Sequence, residues 1–265
     1  MPGDHKVVRG VTLRADPARE ACFDVVHHDI EMKNWPGVEG EAGREKLHRH
    51  MNNETGAIEI AAQCLADFPD APWELRLRLA RQCADESRHA EVLLCRLREM
   101  GGRKGEFPVA NFEWGVTLMV DNLPGRLAIQ NRTFEAGLID ILGTLRKVWQ
   151  RSGDDRTADV LDGILADEIT HVRFANQWIR RLTEENPPIL LQVARAVQFL
   201  GQANQAMQVE VDAVDAAGNP VQEHKLQVEI DVEGRLEAEF TEEEVLEVLK
   251  KAGFQSILPG RGGSA

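Results

Sequence analysis

The chain has 265 residues, a formal net charge of −13, four cysteines and no tyrosine, a length that suits one large domain or a domain with a small appendage. The cysteines are scattered without a C-x-x-C pair, which excludes a rubredoxin-like iron site built from cysteine thiolates and reads as reduced, buried thiols, while the missing tyrosine excludes a tyrosyl radical. No apolar run is long enough for export or for a membrane span, so a cytoplasmic protein is expected.

Residues 1–43 read as an N-terminal segment packed on the body of the protein. A strand is predicted at Val7 to Leu13, and a helix after Asp16-Pro17, where proline suits the first turn. His27-His28 reads as a solvated helix end, because adjacent helical residues diverge by about 100° and no carboxylate partner is in sight. A long helix is predicted from Arg44 to Asp67, closed by Pro69 and Pro72. A second follows from Pro72 to Met100, with Leu75, Leu79, Glu86, His89, Leu93 and Leu97 on one stripe and Gly101-Gly102 as its stop. Burying that Glu and His unpartnered is costly, so the stripe demands an ion or a polar network.

The connection from Gly101 to Pro124 is long enough for a crossover, with Phe112 to Val120 helical. A third long helix spans Gly125 to Arg151, and Ser152-Gly153-Asp154-Asp155 turns the chain and caps the fourth. That helix runs from Arg156 to Glu185, with Leu161, Ile164, Leu165, Glu168, His171, Ala175 and Trp178 on its buried stripe. The expected body, residues 44–204, is completed by a fifth helix over Ile189 to Ala206.

Residues 205–258 change to a period of two. Met207, Val209 and Val211, then Leu226, Val228 and Ile230, then Leu236, Ala238 and Phe240 predict a three-stranded antiparallel sheet. Thr241 with Glu244 predicts a capping box for a last helix, Glu242 to Lys251. From Gln205 to Lys251, 13 acidic residues stand against 4 basic ones, a surface that repels phosphate and argues against nucleic acid as a partner. Residues 259–265 read as a disordered tail. The fold class expected is mainly α: a four-helix bundle with a crossover connection, plus a small C-terminal sheet and helix.

Two stretches repeat one motif on the two stripes: Asp85-Glu86-Ser87-Arg88-His89 and Asp167-Glu168-Ile169-Thr170-His171. Residues i and i+3 of a helix share a face, so each Glu and His can converge on one ion. One E-x-x-H is expected by chance about once in such a chain. The first two are distinguished by a further carboxylate on the preceding helix: Glu54 stands 32 residues before Glu86, and Glu135 stands 33 before Glu168. The third match, Glu45 to His48, lacks one and reads as coincidence. Glu59 is a rival to Glu54, but it lies about 140° from Glu54 and from the apolar face of its helix. His50 is open as an extra ligand, a catalytic proton donor or an exposed side chain. Mixed carboxylate and imidazole donors favour iron or manganese over softer metals.

Four Glu and two His in this order are the ligand set of the ferritin-like dinuclear carboxylate proteins. The runs FPDAPWELRLRLARQCADESRHAEVL, GEFPV and ILADEITHVRFANQWIRRL further resemble a bacterial ferritin-like family of unknown function, over about Gly43 to Glu185. The resemblance implies two Fe ions, or a Mn/Fe pair, bridged by oxo, hydroxo or water and bound by Glu54, Glu86, His89, Glu135, Glu168 and His171. It implies an O2-activating oxidase or oxygenase with O2 as co-substrate and a small organic molecule as substrate, with a homodimer and an electron-donor protein as further partners. A ferroxidase or iron-handling protein and a tRNA-modifying hydroxylase are the alternatives. Asp85 and Asp167 point toward a neighbouring helix, so a crossed arrangement is expected, Asp85 accepting from His171 and Asp167 from His89; the competing reading pairs them with Arg88 or Arg173 at the surface.

Overall fold

The protein is described by a computed structural model covering residues 5–14, 17–29, 32, 33, 35, 37–210 and 228–253. It opens on a hairpin of β1 (Lys6–Val8) and β2 (Val11–Leu13). Arg9 and Gly10 turn it with φ of 47° and 85°, the pair of positive values that tight hairpins demand. The expected strand at 7–13 is therefore two strands. A helix after Pro17 does not form: residues 17–29 are irregular apart from β3 (Val25–Val26), which runs parallel to β4 (Val109–Ala110). Arg19 draws this segment across the first long helix by binding Glu59 at 2.8 Å and Asn52 at 3.1 Å.

Helices α1 (Glu41–Asp67) and α2 (Trp73–Glu99) form one hairpin. At its turn Arg76 donates to the carbonyls of Leu65 and Phe68, 2.9 Å each, satisfying groups a helix end leaves unpaired. The crossover carries α3 (Phe112–Leu118) and leads to α4 (Leu123–Ile129). The predicted third helix then widens into a π-helical turn over Gln130–Glu135 before continuing as α5 (Ala136–Arg151). Gly153, at φ 83°, reverses the chain into α6 (Asp155–Glu185), whose first turn is capped by Asp154 accepting from the Thr157 N–H.

The two hairpins close on a common core. Leu47, Leu93, Leu142 and Leu161, one from each long helix, are at most 2% exposed within one cluster, and each contributes roughly 1.5–3 kcal/mol by burial. Helix α7 (Ile189–Glu210) packs its Ala196, Leu200 and Ala203 against Val8, Leu13 and Ile129.

The C-terminal sheet is corrected in its described part. Met207 and Val209 lie within α7, Val228 and Ile230 are irregular, and Leu236 belongs to a short helix, α8 (Val232–Glu237). Tertiary contacts override the alternating pattern here. Arg235 is buried against Asp140 at 2.6 Å, Asn176 donates to the Ala238 carbonyl at 2.8 Å, and Asp231 caps α8 at the Gly234 N–H. Helix α9 (Glu242–Lys251) starts with the expected Thr241–Glu244 capping box. The expectations for Val211, Leu226 and the tail 259–265 lie outside the described residues. Among the described residues no helix is long and apolar enough to cross a membrane.

Candidate metal centre

The four long helical segments each deliver a buried carboxylate to one point in the bundle. Glu54 comes from α1, Glu86 from α2, Glu135 from the end of the π-helical turn and Glu168 from α6, and none is more than 4% exposed. His89 and His171 follow one turn after their glutamates and are at most 2% exposed. These six residues form two overlapping groups of candidate ligands: Glu54, Glu86, His89 and Glu168, and Glu86, Glu135, Glu168 and His171, with ligand atoms within 4.8 Å of one another in each. Glu86 and Glu168 are common to both. The arrangement is thus two adjacent four-ligand sites sharing two carboxylates, with one terminal carboxylate and one imidazole apiece.

Both imidazoles turn Nδ1 inward. His89 Nδ1 lies 3.0 Å from Glu86, 3.4 Å from Glu168 and 3.6 Å from Glu54, and His171 Nδ1 lies 3.2 Å from Glu86. Both turn Nε2 outward to an aspartate of the opposite helix, His89 to Asp167 at 3.2 Å and His171 to Asp85 at 3.5 Å. A carboxylate can only accept, so the Nε2–H donates and Nδ1 is left to face the cluster. Of the arginines in the competing reading, Arg88 is present, whereas Arg173 donates to the Glu237 carbonyl at 2.6 Å and Arg81 stands beside Asp85 instead. Asp85 takes Arg81 at 2.7 Å, and Arg88 reaches Asp167 at 2.5 Å and Asp85 at 3.4 Å.

Charge has been concentrated here at a cost. Burial raises the Glu135 and Glu54 carboxyls above the usual range, with Glu168 and Glu86 adding to it at Glu135 and Glu86 at Glu54. Burial acts the same way on Glu86, but His171 and His89 outweigh it and hold Glu86 low. Burial disfavours a charged His89, yet Glu168, Glu54 and Glu86 push it up to about 12. His171 is likewise raised, against burial, by Asp85, Glu168 and Glu86.

The donors fit a pair of metal ions. Both oxygens of Glu168 and His171 Nδ1 are buried and, among the described residues, have no hydrogen-bond partner, each a cost of about 1–3 kcal/mol if left so. All are metal-ligating atoms directed at the shared centre. The set of four carboxylates and two imidazoles is that of hard to intermediate first-row ions, not of thiolate-bound ones.

The remaining sequence candidates separate clearly. Glu59 is held by Arg19 at 2.8 Å, so Glu54 is the α1 carboxylate in the cluster. Glu45 pairs with Arg49 at 2.5 Å, and His48 Nε2 accepts the Gly105 N–H at 2.9 Å; neither joins a ligand group. His50 stands behind Glu54, with Nε2 2.5 Å from Oε1. His28 is not at a helix end but packs on Phe112, ring centroids 4.4 Å apart and tilted by 58°.

Other residues of the site carried no motif. Gln82 donates to Glu135 at 2.5 Å, Asn131 donates to it at 2.8 Å, and Gln130 reaches it at 3.4 Å. Gln130 lies five positions before Glu135, a spacing that diverges by about 140° on an α-helix. The π-helical turn, whose bonds reach back five residues, brings the two together. A cavity of about 300 Å³ opens on the carboxylates, walled by Phe112, Phe134 and Leu138 and by Glu113 of the crossover.

Fold and site define a class: a mainly helical protein with a buried Glu and His cluster able to hold metal. The chain belongs to the family described as protein of unknown function DUF455, whose model matches residues 4–246. No curated protein and no solved structure matches it.

Proposed function

We propose that this is a ferritin-like dinuclear-metal enzyme, an O2-activating oxidase or oxygenase acting on a small organic substrate. The observation that carries the reading is the pair of overlapping ligand groups. Glu86 and Glu168 are shared between them, while Glu54 with His89 and Glu135 with His171 complete one site each. One ion needs no such duplication. Six ligands with two in common suit two ions close enough to be bridged.

Two iron ions, or manganese and iron, would supply the electrons that O2 reduction requires. The chain's own residues do the rest. Asp85 and Asp167 fix the imidazole tautomers so that Nδ1 is available to metal. Gln82 and Asn131 orient the Glu135 carboxylate. His50, against the outer oxygen of Glu54, is placed to hold or pass a proton at Oε1. The apolar walls of Phe112, Phe134, Leu138 and Ile141 limit water beside the cluster and provide a surface for an organic molecule. That lining favours an organic substrate over the alternative in which iron itself is the substrate, since passage of hydrated iron needs no aromatic wall.

The test is O2 consumption by protein loaded with iron(II), comparing wild type with Glu135→Ala. Uptake lost in the variant supports the reading; uptake equal in both, with metal content equal, contradicts it.

A further inference from the structure

The cavity beside the cluster has a charge pattern that selects among organic substrates. Its lining includes the ligand carboxylates Glu54, Glu86, Glu135 and Glu168, two further acids, Asp29 and Glu113, and no lysine or arginine. Two divalent ions would balance the four ligand carboxylates, leaving Asp29 and Glu113 in excess. Asp29 sits at the mouth, its side chain 46% exposed and 3.9 Å from Arg49. Glu113, on α3, is an acid without a cation: among the described residues it makes no hydrogen bond and no ion pair, and burial, with Asp29, Glu54, Glu168 and Glu86 nearby, pushes its carboxyl well above the usual range. An anionic substrate would meet repulsion at both acids, with no lysine or arginine in the wall to receive it.

A second observation is independent of charge. Gln130 is 3% exposed, lines the same cavity and has an Oε1 that accepts no hydrogen bond among the described residues. Its orientation is fixed, because Nε2 points to Glu135 at 3.4 Å and a carboxylate can only accept. A buried acceptor left open in this way calls for a donor from the occupant. Phe112 and Phe134 line the same cavity, and aromatic rings attract a cation as well as an apolar body.

We infer that the cavity binds a small amine: an apolar body of a size suited to about 300 Å³, with a protonated nitrogen that pairs with Glu113 and donates to Gln130 Oε1. An ammonium carries three donors and one positive charge, and so answers both unmet groups at once. The inference rests on the proposed dinuclear site for its charge balance, but it concerns side chains that bind no metal.

The probes are hexylamine, hexanol and hexanoate, titrated calorimetrically into protein loaded with zinc, which binds such ligands without redox chemistry. Hexylamine should bind about ten- to hundredfold more tightly than hexanol, the range of a charge-assisted hydrogen bond, and hexanoate should not bind. Glu113→Gln should erase most of the preference for the amine while keeping the wild-type melting temperature. Should Glu113→Gln fail to fold, Gln130→Met should weaken hexylamine and leave hexanol unchanged. Hexanoate binding as tightly as hexylamine, or a preference unaltered by Glu113→Gln, overturns the inference. Zinc content measured on the same samples separates this outcome from failure of the dinuclear reading: protein that takes up no metal refutes that reading, whereas protein with full metal and no amine preference refutes only this one.

Discussion

His89 Nε2 lies 3.2 Å from Asp167 Oδ2, across the gap between two helices and 78 positions apart in the chain. Asp85 does the same for His171 at 3.5 Å. Each E-x-x-H helix thus orients the imidazole of the other, so the half-sites are interlocked. Burial raises the Asp167 carboxyl, but Arg88 and then His89 outweigh it and keep it ionised. Asp167→Asn should weaken metal binding by about 10- to 100-fold, read from competition with a chelator. An unchanged affinity would mean that Arg88, not His89, is the partner that matters.

His48 should prove structural despite its E-x-x-H spacing. Its Nε2 accepts from Gly105, a residue at φ 70° whose added Cβ would lie 2.0 Å from the Cys22 carbonyl, so this loop has little freedom to adjust. His48→Ala should lower the melting temperature, by about 2 kcal/mol of lost packing and hydrogen bonding, while leaving metal content and O2 uptake intact. Loss of metal in this variant would show that the third motif had been misread.

The same histidine gives a pH signature. Burial lowers its pKa from 6.5 to about 4, with Glu106 opposing. The folded form therefore binds fewer protons than the unfolded chain between these values. Its contribution to stability is complete above about 6.5 and is lost as pH falls toward 4. Wild type should lose more melting temperature over that window than His48→Gln, which can still accept from Gly105 but does not titrate. Parallel pH profiles would refute this.

Arg235 and Asp140 form a buried pair at 2.6 Å that ties α8 to α5. Arg235→Leu leaves the buried Asp140 carboxylate without its cation, holding only the Asp231 N–H at 2.9 Å among the described residues, at an expected cost of about 3–5 kcal/mol, measurable by denaturant unfolding. Metal content should hold, since neither residue reaches the cluster. A destabilisation below about 1 kcal/mol would mean that Asp140 is answered by water.

The candidate metal cluster was legible in the sequence because five of its six residues sit on regular α-helices and the sixth, Glu135, ends the π-helical turn just before α5. Glu86 to His89 and Glu168 to His171 share a face by helical geometry alone, and the spacing back to Glu54 and Glu135 encodes a hairpin. What surrounds it was not legible, because it depends on departures from regularity. Gln130 reaches Glu135 only through the π-helical turn, and Glu113 enters from a crossover whose path no periodicity sets. The strand expected at Leu236 to Phe240 failed for a related reason. Three alternating apolar residues cannot outweigh a buried ion pair at Arg235 and a cap at Asp231. Glu54 and Glu59, both open from the sequence, are told apart by Arg19, a residue 40 positions from Glu59 that local pattern could not place.

Metal uptake should also release protons, because the carboxylates around His89 and His171 push their pKa values up, against burial, and each must free Nδ1 to bind. Affinity should rise with pH accordingly. Titration of metal into weakly buffered protein should acidify it; no pH change would argue that the ions bind elsewhere.

The most direct measurement is the metal content of protein expressed under iron-replete conditions and purified without chelator. Two iron or manganese ions per chain are predicted, falling to one or fewer in Glu168→Ala, which removes a carboxylate common to both groups. A single zinc per chain, or no metal at all, would contradict the account.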